Sequence, residues 1–137
     1  MAPRSTRIGL LVLGAGQGLT ALFALFAPRA FFDDYPVAGA HWVSALPPFN
    51  EHLVRDYGAS FLALSVLALA AAWVGERRLV IVAVAVWLVS AIPHLVFHLA
   101  HSDQPSGAEG VASLVTLGFN ALLPLVLLFL IRKENVR

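Results

Sequence analysis

Four long apolar runs divide this 137-residue chain, and each is long enough to cross the hydrocarbon core of a bilayer, which takes ~20 helical residues. The first runs from about Ile8 to Ala27 and stops at Pro28-Arg29. The second follows Asn50, a residue suited to capping a helix, and covers residues 51–74 before Gly75-Glu76-Arg77-Arg78. The third covers residues 79–101 and the fourth residues 110–131, closing on Arg132-Lys133. The expected fold is therefore all-α: a four-helix transmembrane bundle forming one integral membrane domain over residues 1–137.

The chemistry of the remaining residues excludes several classes. Only 12% of the chain is charged and 59% is hydrophobic, against roughly 25% charged in an ordinary soluble domain. A soluble protein of this length could not hide so much apolar surface, whereas a bilayer accepts it. The absence of cysteine rules out disulfides, thiolate metal sites and cysteine nucleophiles. A net charge of +1 gives no reason to expect nucleic acid. No nucleotide loop, serine-hydrolase elbow or His-Glu-x-x-His motif is present.

The placement of basic residues predicts orientation. With four spans, both termini and the Glu76–Arg78 turn share a side, which holds Arg4, Arg7, Arg77, Arg78, Arg132, Lys133 and Arg137. Arg29 and Arg55 fall on the other. The positive-inside rule then puts both termini in the cytoplasm. A cleaved leader over the first thirty or so residues is the competing reading, but the first apolar run exceeds the ~7–15 residues usual for a signal sequence. The segment from Arg29 to Phe49, with Phe31, Phe32, Tyr35, Pro36, Trp42, Pro47 and Pro48, is expected to lie as a loop on the membrane interface, where Trp and Tyr are favoured.

The most informative polar pattern lies on the third span. Trp87, Ser90, His94, His98 and His101 recur at gaps of three and four, so they share one helix face. A histidine inside a membrane is costly unless it faces protein, water, a metal or a partner charge. The second span opens Asn50-Glu51-His52-Leu53-Val54-Arg55-Asp56, giving two i,i+4 pairs, Glu51 with Arg55 and His52 with Asp56. If the second and third spans pack antiparallel, with Gly58, Ala59 and Ala63 allowing close approach, His52 and Asp56 can meet His94 and His98. Neutral imidazole is a common ligand of zinc, copper and iron, and His-x3-His presents two ligands to one ion. The expected metal ligands are His52, Asp56, His94 and His98, with His101 less central. Glu51 would relay protons and Arg55 would hold an anionic group. Haem held by two axial histidines is a weaker variant, since no Cys-x-x-Cys-His attachment motif exists.

Each of these residues also has an ordinary role open to it. His101 and His41 can sit at the membrane interface, Glu51 and Arg55 can form a surface ion pair, and the histidines and Asp56 can satisfy one another. Gln17 and Asn120 fall near mid-membrane and are expected to hydrogen-bond across two helices. Gly14 and Gly18 favour close helix packing, Pro93 frees a carbonyl near Val89, and Gly118 and Pro124 permit a bend in the fourth span. The aromatic residues Phe23, Phe26, Phe61, Trp73 and Phe129 read as lipid-facing or core.

Four short spans, the outer loop after the first, Asn50-Glu51-His52-x-x-Arg55-Asp56-x-Gly58 and Pro93-His94-x3-His98-x2-His101 resemble uncharacterised small bacterial membrane proteins, similar in architecture to the broad DoxX-like group. That resemblance implies a four-helix membrane protein and carries no single chemistry to transfer. Sterol desaturases and hydroxylases use similar histidine spacings but carry more histidines, usually on the cytoplasmic side. The functional expectation is a multi-pass protein of the bacterial cytoplasmic membrane with an outward-facing His/carboxylate cluster. It would bind a metal for metal handling, or for redox or hydrolytic chemistry on a lipid-soluble substrate. The alternatives are a non-enzymatic accessory or lipid-binding subunit, and a proton-relay component of a carrier. The bilayer is the expected partner, with a homo-oligomer or larger membrane complex compatible with the small size.

Overall fold

The computed structural model describes residues 1–101 and 105–133, the side chain of Lys133 excepted. Its order is α1 (Arg4–Phe26), α2 (Pro28–Asp34), α3 (Glu51–Val74), α4 (Arg77–Ala100) and α5 (Gly107–Lys133). The described residues form no strand. Four of the helices, α1, α3, α4 and α5, are long and apolar enough to cross a membrane. Residues 102–104 of the turn after α4, and Arg137 of the basic set, lie outside the described residues.

Helix ends follow from local chemistry. The Asn50 side chain accepts from the Leu53 N–H at 3.1 Å and caps α3 as expected. Gly75 ends α3 with φ 67°, the left-handed conformation that only glycine adopts without strain. The third span starts two residues earlier than its apolar run, because the Glu76 carboxylate accepts from the N–H groups of Arg78 (3.0 Å) and Leu79 (2.8 Å) and so recruits the two arginines into the helix. Likewise α1 takes in the polar turn Arg4-Ser5-Thr6-Arg7, and α5 begins at Gly107. Apolar length locates a span; the capping group decides where its first turn begins.

The large hydrophobic residues point outward as much as inward. Leu19, Trp73, Val89, Leu122 and Phe129 are exposed on four different helices, which suits a lipid surround. The buried core uses smaller groups: Leu10 and Leu13 of α1, Ala68, Ala71 and Ala72 of α3, Val80, Ala83 and Val84 of α4, and Leu127 and Ile131 of α5. The N-terminus lies against the α3–α4 turn, where the Ala2 N–H donates to the Gly75 carbonyl at 2.8 Å. The Arg7 guanidinium donates to the Ala72 and Trp73 carbonyls at 2.7 and 3.0 Å. Those two carbonyls belong to the last turn of α3, so the arginine satisfies groups a helix end leaves without partners.

Helix pairing differs from expectation in a way that bears on the site. α3 packs most closely on α1, and α4 on α5. Gly58 makes the first approach possible: a Cβ there would lie 2.7 Å from the Leu25 N and 2.9 Å from the Ala21 carbonyl oxygen. Its close contact is with α1, not with α4. Gly14 faces Ser65 and Leu69 of α3 in the same interface, with Gly18 beside Ser65, so Gly-x3-Gly serves packing within this chain.

Candidate functional site

The segment after α1, expected as a loop, is helical in its first part. Pro28 starts α2, a short helix whose Phe31 and Phe32 are buried. The following strap turns back through a Trp42 N–H bond to the Tyr35 carbonyl, 3.2 Å. It is tied to the start of α5 by the His41 N–H, which donates to the Glu109 carboxylate at 2.9 Å. Phe31 and Phe32 turn inward, while Tyr35 and Trp42 are half-buried over a space that the helices beneath them leave.

That space is a cavity of about 290 Å³ bounded by α1, α3, α4 and α5 and covered by α2 and the strap. One wall is a row of rings. Ring centroids are separated by 5.9 Å from Trp42 to Tyr35, 4.7 Å to Phe31, 5.7 Å to Tyr57, 4.4 Å to Phe61, 6.3 Å to His94 and 5.0 Å to His98. All seven border the cavity. The opposite side supplies small polar groups from α5, namely Ser113, Thr116 and Asn120, at gaps of three and four.

The expected α4 stripe divides here. Trp87, Ser90, His94 and His98 line the cavity. His101 lies at the end of α4, stacked on Phe97 with its Nδ1 against that residue's carbonyl at 2.9 Å. His52 and Asp56 pair with each other at 3.3 Å on an exposed face, with side-chain exposures of 86% and 60%, and neither borders the cavity. Glu51 and Arg55 also pair, at 2.8 Å, and Arg55 donates to the Leu25 carbonyl. The first turn of α3 therefore braces α1 through Arg55. Among the described residues, no group of three or more His, Asp or Glu side chains comes together to hold a metal ion. The four expected ligands stand as two separate pairs, His52 with Asp56 on an exposed face and His94 with His98 at the cavity.

Gln17 and Asn120 also take different partners from those expected. Gln17 donates through Nε2 to the Tyr57 hydroxyl at 3.3 Å, and Asn120 donates through Nδ2 to the Thr116 carbonyl at 3.1 Å. They do not bond each other; both face the cavity. Imidazole hydrogen bonding among the described residues is confined to His41, His101 and the His52–Asp56 pair. The half-buried rings of His94 and His98 thus present nitrogen donors and acceptors to the cavity itself.

Tyr57, Phe61, Tyr35 and Trp42 were not legible as site residues from their types alone. One signal was available: Leu53, Tyr57, Phe61 and Leu64 recur at gaps of four, four and three, a stripe on α3 that complements the one on α4. The described fold and cavity define a protein with four membrane-span-capable helices and a partly polar internal site. No protein family, curated protein or solved structure matches this chain.

Proposed function

We propose that this is a multi-pass membrane protein whose task is to bind a small lipophilic molecule in the cavity between its helices, as a binding or accessory subunit and not through an assembled metal centre. The cavity wall carries this reading: mostly apolar and aromatic, with a few convergent polar side chains, it has the make-up of a ligand pocket. The DoxX-like architecture remains part of the proposal. Charge favours an outward-facing cavity in the bacterial cytoplasmic membrane. At the cavity end Arg29 pairs with Asp33 and Arg55 with Glu51, while Arg4, Arg77, Arg78 and Arg132 belong to the other end.

The test is to purify the untagged protein in mild detergent and analyse it for both lipophilic molecules and metal. A co-purified small lipophile, lost when Ser90→Phe fills the cavity of a protein that still melts cooperatively, is the expected result. Near-stoichiometric zinc, copper or iron that disappears in His94→Ala/His98→Ala would overturn it in favour of metal chemistry. Replacing His52 and Asp56 by alanine is expected to leave ligand content unchanged.

A further inference from the structure

The charge and shape of the cavity wall constrain its occupant further. Resting on the binding reading above, we infer that the ligand is an uncharged, ring-bearing lipophile carrying a hydroxyl or carbonyl group, of the phenol or cyclic-ketone kind. Three observations converge on this class.

First, among the described residues none of the side chains bordering the cavity is Asp, Glu, Lys or Arg. The nearby charges are already committed on its outside: Arg29 to Asp33, Arg55 to Glu51 and Glu109 to the His41 N–H. An anionic or cationic head would meet no fixed counter-charge among the described lining residues, and an unpaired charge in an apolar space is strongly disfavoured.

Second, the polar groups that do face the cavity are neutral hydrogen-bonding ones. Tyr57 accepts from Gln17 and keeps its own O–H to donate. Asn120 donates one Nδ2–H to a helix carbonyl, which leaves Oδ1 as an acceptor and a second N–H as a donor. His94 and His98 each offer one donor and one acceptor when neutral. A hydroxyl or carbonyl oxygen can use these groups on either side without a proton being transferred.

Third, the continuous row from Trp42 to His98 offers flat faces and edges. Rings pack against such surfaces by offset or edge contacts that an acyl chain does not reproduce. A volume of about 290 Å³ holds on the order of ten water-sized groups. That accommodates a single ring and a short tail, and is small for a two-chain phospholipid.

The protein supplies its own reporter. Of three tryptophans, Trp42 and Trp87 border the cavity, while Trp73 is 83% exposed on the outside of α3. A Trp73→Phe protein in phosphatidylcholine nanodiscs can be titrated with 4-pentylphenol, 4-pentylbenzoate, 4-pentylbenzylammonium and 1-octanol, each concentration referred to the lipid phase. The phenol is expected to quench saturably and to bind about tenfold more tightly than either ion and about threefold more tightly than octanol. Ser90→Phe should abolish that binding. Tyr57→Phe should weaken it without changing the melting temperature by more than a few degrees. Equal or tighter binding of the benzoate, the ammonium or octanol would overturn the ligand class while leaving a binding protein. If no probe binds saturably, the ligand class falls; if the purified protein also lacks any co-purified lipophile, the binding reading falls with it.

Discussion

The two ends of this protein are built from the same four long helices, yet one is filled and the other is hollow. Around the N-terminus and the α3–α4 turn, Leu10, Leu127, Ile131 and Val80 are all but fully buried among alanines, and Arg7 ties α1 to the last turn of α3. At the far end, aromatic side chains from α2, the strap, α3 and α4 form walls around an open space. Alanine and glycine let backbones come together until small branched side chains fill what remains. Large rings hold facing helices apart and pack edge to face along a wall, so they can enclose a volume without occupying it. The closed end is therefore tightly packed, while the hollow end leaves a space bordered by rings and neutral polar groups.

Breaking the α1–α3 contact should erase both regions at once. A Gly58→Leu side chain has no room against the backbone of Ala21 and Leu25, and backbone cannot give way as a flexible side chain can. Overpacking typically costs about 1–3 kcal/mol and occasionally more; against backbone the upper end applies, so the expected outcome is loss of the monodisperse peak on size exclusion in detergent. A sharper contrast comes from truncating one leucine in each region. Leu127→Ala removes a side chain only 2% exposed and should destabilise by about 3 kcal/mol. Leu64 is only half-buried beside the cavity, so Leu64→Ala gives up less transfer free energy and should cost about 2 kcal/mol or less, at the low end of the leucine-to-alanine range. Thermal denaturation of both variants reads the difference, and equal losses would refute the filled-versus-hollow description.

The smallest expected effect concerns pH at the closed end. Hydrogen bonds from the backbone N–H groups of Arg78 and then Leu79 hold the exposed Glu76 carboxyl below the usual carboxylate range. A carboxylate whose folded-state pKa is depressed contributes its stability in full above the unfolded-state value. That contribution is lost as pH falls through the folded-state value. Melting temperature should decline on acidification through that window, and Glu76→Gln should flatten this part of the profile while leaving the cavity end unaffected.

Part of the cavity wall is legible in the sequence. The α4 stripe named Trp87, Ser90, His94 and His98 because helical periodicity places residues three and four apart on one face whatever their neighbours are. The same rule could not say that His101 would turn to its own helix, since the last turn of a helix offers free carbonyls as competing partners. It also could not tell Phe61, a wall of the cavity, from Phe129, which is exposed on the outside. Both are rings in apolar helices, and only the neighbour on each side distinguishes them.

The sequence by itself determined that four segments would be membrane-length helices, because an apolar run of that length has few other stable states, and it set the cap at Asn50. Only the tertiary structure decided that Gly58 would pair α3 with α1. That choice left His52 with Asp56 on the surface and His94 with His98 at the cavity, because helix pairing is settled by shape over many contacts at once, and no single residue's chemistry encodes it.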